Sequence, residues 1–405
     1  MSPHLFPGKL SRLLSFLCCI LLLFSSFLSV YSRQTAPITQ ISDENSSAVH
    51  VNAPSALLME ASTGTILLEQ DADTERPPAS VTKVMTLLLI FDALAAGKIS
   101  LTDTVTVSEH ASSMGGSQVF LETGETQTVD TMIKCIAVAS GNDAAVAMAE
   151  YVSGSEEAFV NEMNQRAKEL HMEHTHFVNC CGLDADDHYT SAKDIALMSR
   201  ELIIRYPAIF EYTTIWMENI THVTARGSSE FGLTNTNKLL RQYNGANGLK
   251  TGSTSKAGFC LSATATRNDI SLIAVVMGCS SSKERITETS TLFDYGFSLC
   301  QIYTDETPPS LPRISIRQGA TDTISCTYEK NFSCVTTKDF DAEKIKRKIK
   351  WNKSIVAPVK KGTPVGELIY YYNDKKLGNV LILANETVKK ATYFDYFNKL
   401  LSSLY

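Results

Sequence analysis

The chain has 405 residues, 44% of them hydrophobic and 20% charged. That is ordinary for soluble globular domains, and at ~100–200 residues each it allows two or three of them, which excludes a disordered chain, a collagen or a multi-span membrane protein. A formal net charge of -6 offers no basic surface for phosphate backbones, so nucleic acid is excluded as the main partner.

The first element is an uncharged run of 18 residues, 13–30. Lys9 and Arg12 precede it, and Tyr31, Ser32, Arg33 and Gln34 follow. A basic start, an apolar middle and a polar exit are the layout of a secretory signal, so residues 1–32 read as a signal peptide cut near Ser32. A retained anchor is the alternative, although this run is at the short end of what spans ~30 Å of hydrocarbon. Losing Lys9 and Arg12 takes the formal charge from -6 to -8. Polar residues 33–50 follow as a flexible lead-in.

Two short strands, 55–60 and 65–69, flank Ser62-Thr63-Gly64 and predict a hairpin. A helix is expected over 78–96, with Pro78 in its first turn and Gly97 beyond its end. Further helices are expected over 129–139, from Asn142 onward, after the Ser153-Gly154-Ser155-Glu156 capping sequence, and over 192–205. Strands return at 248–253, 257–266 and 270–277. Two strands, a helical block and three strands predict an α+β fold over residues 51–303, an antiparallel sheet with helices on its faces.

Pro308, Pro309 and Pro312 mark 304–312 as a linker. Residues 313–388, with short strand-like runs punctuated by Gly362, Gly366 and Gly378, predict a small β-rich domain. Its basic cluster, Lys344, Lys346, Arg347, Lys348 and Lys350, reads as the solvated face of a strand or short helix. Residues 389–405 predict an amphipathic helix. Over 391–405, Tyr393, Phe394, Phe397, Leu400, Leu401 and Leu404 share one face, and Asp395, Asn398, Lys399, Ser402 and Ser403 the other. At ~22 Å it is too short and too polar to span a bilayer but suited to its interface; docking on the preceding domain is the alternative. Eight cysteines lie beyond the first run, none at zinc-site spacing. Cys326 and Cys334 either close a short loop or stay free thiols.

Three short motifs carry chemistry. In Ser80-Val81-Thr82-Lys83, at a helix start, the i, i+3 spacing puts Ser80 and Lys83 on one face. A serine needs a base within reach, and a helix N-terminus together with burial lowers a lysine's pKa enough to make it one. The Ser80 amide is available to a developing oxyanion. In Ser140-Gly141-Asn142, between helices, Ser140 can relay a proton and Asn142 can donate and accept. In Lys250-Thr251-Gly252, entering a strand, the lysine and hydroxyl can hold a carboxylate, and the glycine admits a substrate backbone to the strand edge. Each alone has a bland reading, as an exposed helix face, an N-capped turn and a strand start.

Together, in this order and on these elements, the motifs form a set shared by β-lactamases and penicillin-binding proteins. The chain resembles the low-molecular-mass penicillin-binding proteins, the serine-type D-Ala-D-Ala carboxypeptidases. Gly182-Leu183-Asp184, Tyr189-Thr190-Ser191-Ala192-Lys193-Asp194, Asn235-Thr236-Asn237-Lys238-Leu239-Leu240 and Ala357-Pro358-Val359-Lys360-Lys361-Gly362 also look like that family. The resemblance implies a β-lactamase/transpeptidase-like catalytic domain, a small β-rich domain and a terminal amphipathic helix. It implies acyl transfer without a metal or cofactor. Ser80 would attack the penultimate D-Ala carbonyl of a peptidoglycan stem peptide, and Lys83 would take its proton. Ser140, near Lys250, would protonate the leaving D-Ala. Asn142 would orient the stem-peptide amide, Lys250 and Thr251 would hold the terminal carboxylate, and the amides of Ser80 and Ser253 would form the oxyanion hole. β-Lactams would acylate Ser80, and the enzyme would sit at the outer face of the cytoplasmic membrane. Ser253 departs from the larger residue that relatives often carry there. A class A-like β-lactamase and an idle wall-binding scaffold are the competing readings. Residues 172–190 hold Glu173 but no Glu-x-x-Leu-Asn context for deacylation.

Overall fold

The computed structural model describes residues 49–224 and 227–402. The expected signal peptide, nearly all of the lead-in, and Ser403 and Leu404 lie outside the described residues.

The hairpin strands are β1 (Ser55–Glu60) and β2 (Ile66–Gln70). A 3-10 turn over Ala79–Thr82 leads into α1 (Lys83–Ala95), so the helix expected over 78–96 starts tighter than an α-helix. Lys83 to Phe91 are all buried, as befits a helix apolar on every side. Around it lie α2 (Val129–Ala137), α3 (Asn142–Ser153), α4 (Glu156–Glu169) and α5 (Ala192–Arg205). The Ser155 hydroxyl accepts from the Ala158 amide to cap α4. Next come a two-stranded ribbon, β3 (Met217–Thr224) and β4 (Gly227–Thr234), and the long strands β5 (Ala246–Thr254), β6 (Gly258–Arg267) and β7 (Ile270–Cys279). The ribbon was not foreseen. Its strand with an exposed-polar pattern, Gly227 to Thr234, has little apolar alternation to read.

Strand order in the main sheet is β2-β1-β7-β6-β5, all neighbours antiparallel. The early hairpin and late strands share one sheet, as two strands, helices, three strands implied. Side chains alternate between its faces. Leu57, Met59, Ile273, Val275 and Met277 pack against the helical block. Leu58, Leu272, Ala274 and Val276 pack against Ile286, Leu292 and Phe293 of α6 (Ser282–Leu299). A sheet covered on both faces leaves its edges for function, and β5 is an edge.

The chain leaves α6 through β8 (Cys300–Thr304). β9 (Cys326–Tyr328) belongs to a four-stranded sheet and β10 (Ser333–Thr337) pairs with β8. The sheet is completed by β11 (Ile345–Trp351), β12 (Pro364–Tyr372) and β13 (Lys375–Ala384), in the order β9-β13-β12-β11. It has its own cores, with Phe332 stacked on Tyr370 at 3.8 Å. The basic cluster lies on β11. Lys346 pairs with Asp374, Lys350 with Glu367 and Arg347 with buried Asp305, so much of its charge is met within the domain. All eight cysteines among the described residues are free thiols, Cys326 and Cys334 included.

The final helix, α7 (Tyr393–Ser402), is capped reciprocally: Thr392 N–H donates to Asp395 Oδ2 at 2.7 Å, and Asp395 N–H to Thr392 Oγ1 at 3.3 Å. Lys399 on its polar side bonds the Gly319 carbonyl and Asp322. Phe394, Phe397 and Leu400 are 71%, 57% and 62% exposed, so the polar side faces the domain and the apolar side faces away. Among the described residues no helix is long and apolar enough to cross a membrane.

Candidate active site

Ser80 lies on the 3-10 turn and Lys83 opens α1, one turn later. Lys83 is fully buried. Its Nζ is 3.1 Å from Ser80 Oγ, 2.5 Å from Asn142 Oδ1 and 2.7 Å from the Cys181 carbonyl. Asn142 Nδ2 donates to the Gly115 carbonyl at 2.6 Å, which turns Oδ1 toward Lys83. Two of the three partners can therefore only accept. A neutral amine has two N–H bonds and one lone pair. As an ammonium, Nζ donates to all three; once deprotonated, its two hydrogens serve Asn142 and Cys181 and its lone pair falls on the Ser80 hydroxyl. Burial holds the Lys83 ammonium below the ordinary lysine range, against the pull of Cys181, Cys180 and Asp143.

The turn carrying Ser80 is held under strain. Ala79 has φ +49°, a left-handed conformation costing an ordinary residue ~1–2 kcal/mol. Thr82 Oγ1 donates to the Ala79 carbonyl at 2.9 Å. Gly182, at φ +86°, presses on the same carbonyl, where a Cβ would sit 1.9 Å from Ala79 O. The Gly182-Leu183-Asp184 segment is thus a clamp under the turn, fastened to β5 by Thr254 Oγ1 donating to Asp184 Oδ1 at 2.7 Å.

Ser140 sits between α2 and α3 at φ +64°, its buried Oγ without a hydrogen-bond partner. Asp143 accepts from the amides of Val119 and Leu121 at 3.0 and 3.1 Å and fixes the loop opposite. Lys250 is buried on β5, and its Nζ donates to the Thr251 carbonyl at 3.1 Å rather than to Ser140. Burial foremost, then the positive charges of Lys83 and Arg285, push Lys250 well below the ordinary lysine range. Thr251 Oγ1 is 2.7 Å from Thr236 Oγ1. Gly252 lies against the turn: a Cβ there would be 2.9 Å from Pro78 O, Ser80 N and Val81 N. Ser253 is exposed at the strand edge.

The structure therefore brings Ser80, Lys83 and Asn142 into direct contact and sets Gly252 against the Ser80 amide. Lys250, Thr251 and Ser253 follow on the same strand. It does not join Ser140 to Lys250. Sequence reasoning singled out the segment holding Thr236 but gave that residue no role, and it missed the Cys181 carbonyl and Arg285, whose Nη1 donates to the Gly252 and Cys260 carbonyls at 3.1 and 3.3 Å. A carbonyl leaves no mark in residue type, and a lone buried arginine has no motif. Glu173, the one glutamate between residues 172 and 190, is exposed.

Comparison with known proteins gives two family matches: D-alanyl-D-alanine carboxypeptidase over residues 42–281, and penicillin-binding protein 5, C-terminal domain, over residues 297–390. The chain is 39% identical over 391 residues to the D-alanyl-D-alanine carboxypeptidase DacF of Bacillus subtilis, covering 96% of this chain and 98% of that one. It is 32% identical to DacC of Escherichia coli, covering 91% and 92%. Among solved structures, PBP3 of Streptococcus pneumoniae, a peptidoglycan synthesis regulatory factor, superposes with a TM-score of 0.71 at 27% identity, covering 84% of this chain and all of that one. Penicillin binding protein 6B of Escherichia coli superposes with 0.63 at 31% identity, covering 85% and 99%.

Proposed function

The chain belongs to the D-alanyl-D-alanine carboxypeptidase family, and we propose that it removes the terminal D-alanine of peptidoglycan stem peptides through an acyl-Ser80 intermediate. The observation that carries this reading is the hydrogen inventory at Lys83, whose two acceptor-only partners leave a neutral amine's lone pair for Ser80. Lys83 takes the Ser80 proton as Oγ bonds to the penultimate D-Ala carbonyl carbon. The oxyanion forms between the amides of Ser80 and Ser253. Ser140 relays the proton that Lys83 took from Ser80 to the departing D-Ala nitrogen as the C–N bond breaks. Asn142 orients the stem-peptide amide, and Lys250 and Thr251 hold the terminal carboxylate. Water then hydrolyses the ester, releasing the shortened peptide and Ser80. β-Lactams acylate Ser80 by the same route.

The purified protein labelled with a fluorescent penicillin, beside Ser80→Ala, tests the reading. Labelling lost in the variant, together with D-Ala release from a diacetylated tripeptide ending in D-Ala-D-Ala, is expected. Equal labelling of the variant, or no D-Ala release between mildly acidic and mildly alkaline pH, overturns it. Rapid penicillin turnover would instead identify a β-lactamase.

The substrate lies outside the cytoplasmic membrane, so residues 1–32 act as an export signal in this reading and α7 holds the enzyme at the outer face. The outward apolar side of α7 supports this. Replacing Phe394 and Phe397 by serine is expected to release the protein from sedimenting phospholipid vesicles with D-Ala release unchanged. Equal sedimentation of the variant would refute the anchor.

A further inference from the structure

His188 is outside the three motifs, yet it is nearly fully buried, with 4% of its surface exposed. The Val178 amide donates to its Nδ1 at 2.9 Å. Nδ1 is therefore unprotonated and the ring hydrogen is on Nε2. Nε2 is 2.9 Å from Thr82 Oγ1, so the ring donates to that hydroxyl, and the hydroxyl spends its own hydrogen on the Ala79 carbonyl at 2.9 Å. The result is a one-way chain from Val178 N–H through His188 and Thr82 to Ala79 O. Its ring tilts against Phe177 at 5.9 Å, which fixes the plane.

Ala79 O belongs to the same peptide unit as Ser80 N. That unit is rigid and trans, so its C=O and N–H point in opposite directions. Whatever holds the Ala79 oxygen aims the Ser80 N–H. A left-handed alanine has no intrinsic preference for that setting, so the surroundings must impose it. Gly182 does so by steric contact from one side, and the hydroxyl of Thr82 by a directed bond.

We propose that His188 is a positioning residue for acyl transfer: through Thr82 and the Ala79 carbonyl it aims the Ser80 amide at the oxyanion. The inference rests on the reading of Ser80 as the acylated serine. Burial, and then the charge of His176, push the His188 imidazolium down to about 4, so at neutral pH the ring is in the one-proton form that the chain requires. No proton passes from His188 to substrate; its effect is geometric.

Removing an oxyanion donor costs about 10²–10³-fold in rate, and a misaimed donor costs part of that. Thr82→Val keeps shape and deletes only the hydroxyl. His188→Gln keeps a donor and an acceptor in a shorter side chain. Their acylation rate constants with a fluorescent penicillin, kcat and KM for D-Ala release, affinity for a peptide boronate that forms a tetrahedral anion on Ser80, and melting are to be compared with the unmodified protein. Thr82→Val is expected to lose roughly 10–100-fold in acylation and kcat, with KM nearly constant, boronate affinity falling in parallel, and the fold retained. Because both residues act through one carbonyl, the double variant is expected to lose little more than the worse single one. Acylation of Thr82→Val within threefold of the unmodified protein, or losses in the two variants that multiply, would overturn the proposal. Unmodified protein that fails to take up penicillin would instead refute the reading of Ser80 itself.

Discussion

Gly252→Ala isolates the packing of β5 against the nucleophile's turn. Gly252 has no left-handed backbone, so alanine is conformationally acceptable and only space is at issue. The added Cβ would stand 2.9 Å from Pro78 O, Ser80 N and Val81 N. All three are backbone atoms and none can rotate away. Reaching an ordinary contact of ~3.4 Å needs about half an ångström of separation between strand and turn. Ser80 and Ser253 lie on opposite sides of that gap, so a hydrogen bond of ~2.9 Å from one of their amides to the oxyanion stretches to ~3.4 Å, at the edge of bonding. Loss of one such donor predicts a fall of about 10²–10³-fold in acylation. Overpacking costs the fold only ~1–3 kcal/mol, at ~2–4 °C per kcal/mol in a domain of this size, so melting drops by about 2–12 °C. Stopped-flow labelling by a fluorescent penicillin, with melting followed in parallel, measures both. A cooperatively melting variant that acylates within fivefold of the unmodified protein would refute the reasoning.

Two further outcomes follow from the lysines. Because burial lowers the Lys83 ammonium, acylation should rise with pH as that proton leaves and level off below the ordinary lysine range of ~10.4; Lys83→Arg, which never deprotonates, should lose at least ~10³-fold at every pH, and a rate within tenfold would exclude Lys83 as the base. A stem-peptide analogue ending in D-alaninamide should lose kcat as well as affinity, with the deficit shrinking as pH rises; an effect confined to KM would show that the terminal carboxylate only binds.

The α+β order was legible because strands and helices here obey simple periods: apolar strands at both ends of the catalytic region and a helix apolar all round between them. The motifs were legible because side chains carry them. What escaped is what residue type does not encode. The Cys181 carbonyl is backbone. His188 is separated from Thr82 by 106 positions, and its meaning exists only where the two meet. Ala79's left-handed turn lies at a residue that normally shuns it, the kind of local violation expected where function outranks propensity.

Both lysines of the site are buried, and burial is the main reason their ammonium forms are disfavoured. The positive charges of Lys83 and Arg285 act on Lys250, and among the described residues none of the three forms an ion pair with a carboxylate. Burial and like-charge repulsion both disfavour the ammonium form of Lys250. In the proposed mechanism, a substrate carboxylate held by Lys250 and Thr251 would supply a negative charge there. It would favour the proton on Lys250, and a charged Lys250 would in turn disfavour a proton on Lys83. In the proposed mechanism, recognition of the D-Ala carboxylate would thereby be coupled to activation of Ser80, and a peptide without that carboxylate would meet a Lys83 that is less often neutral.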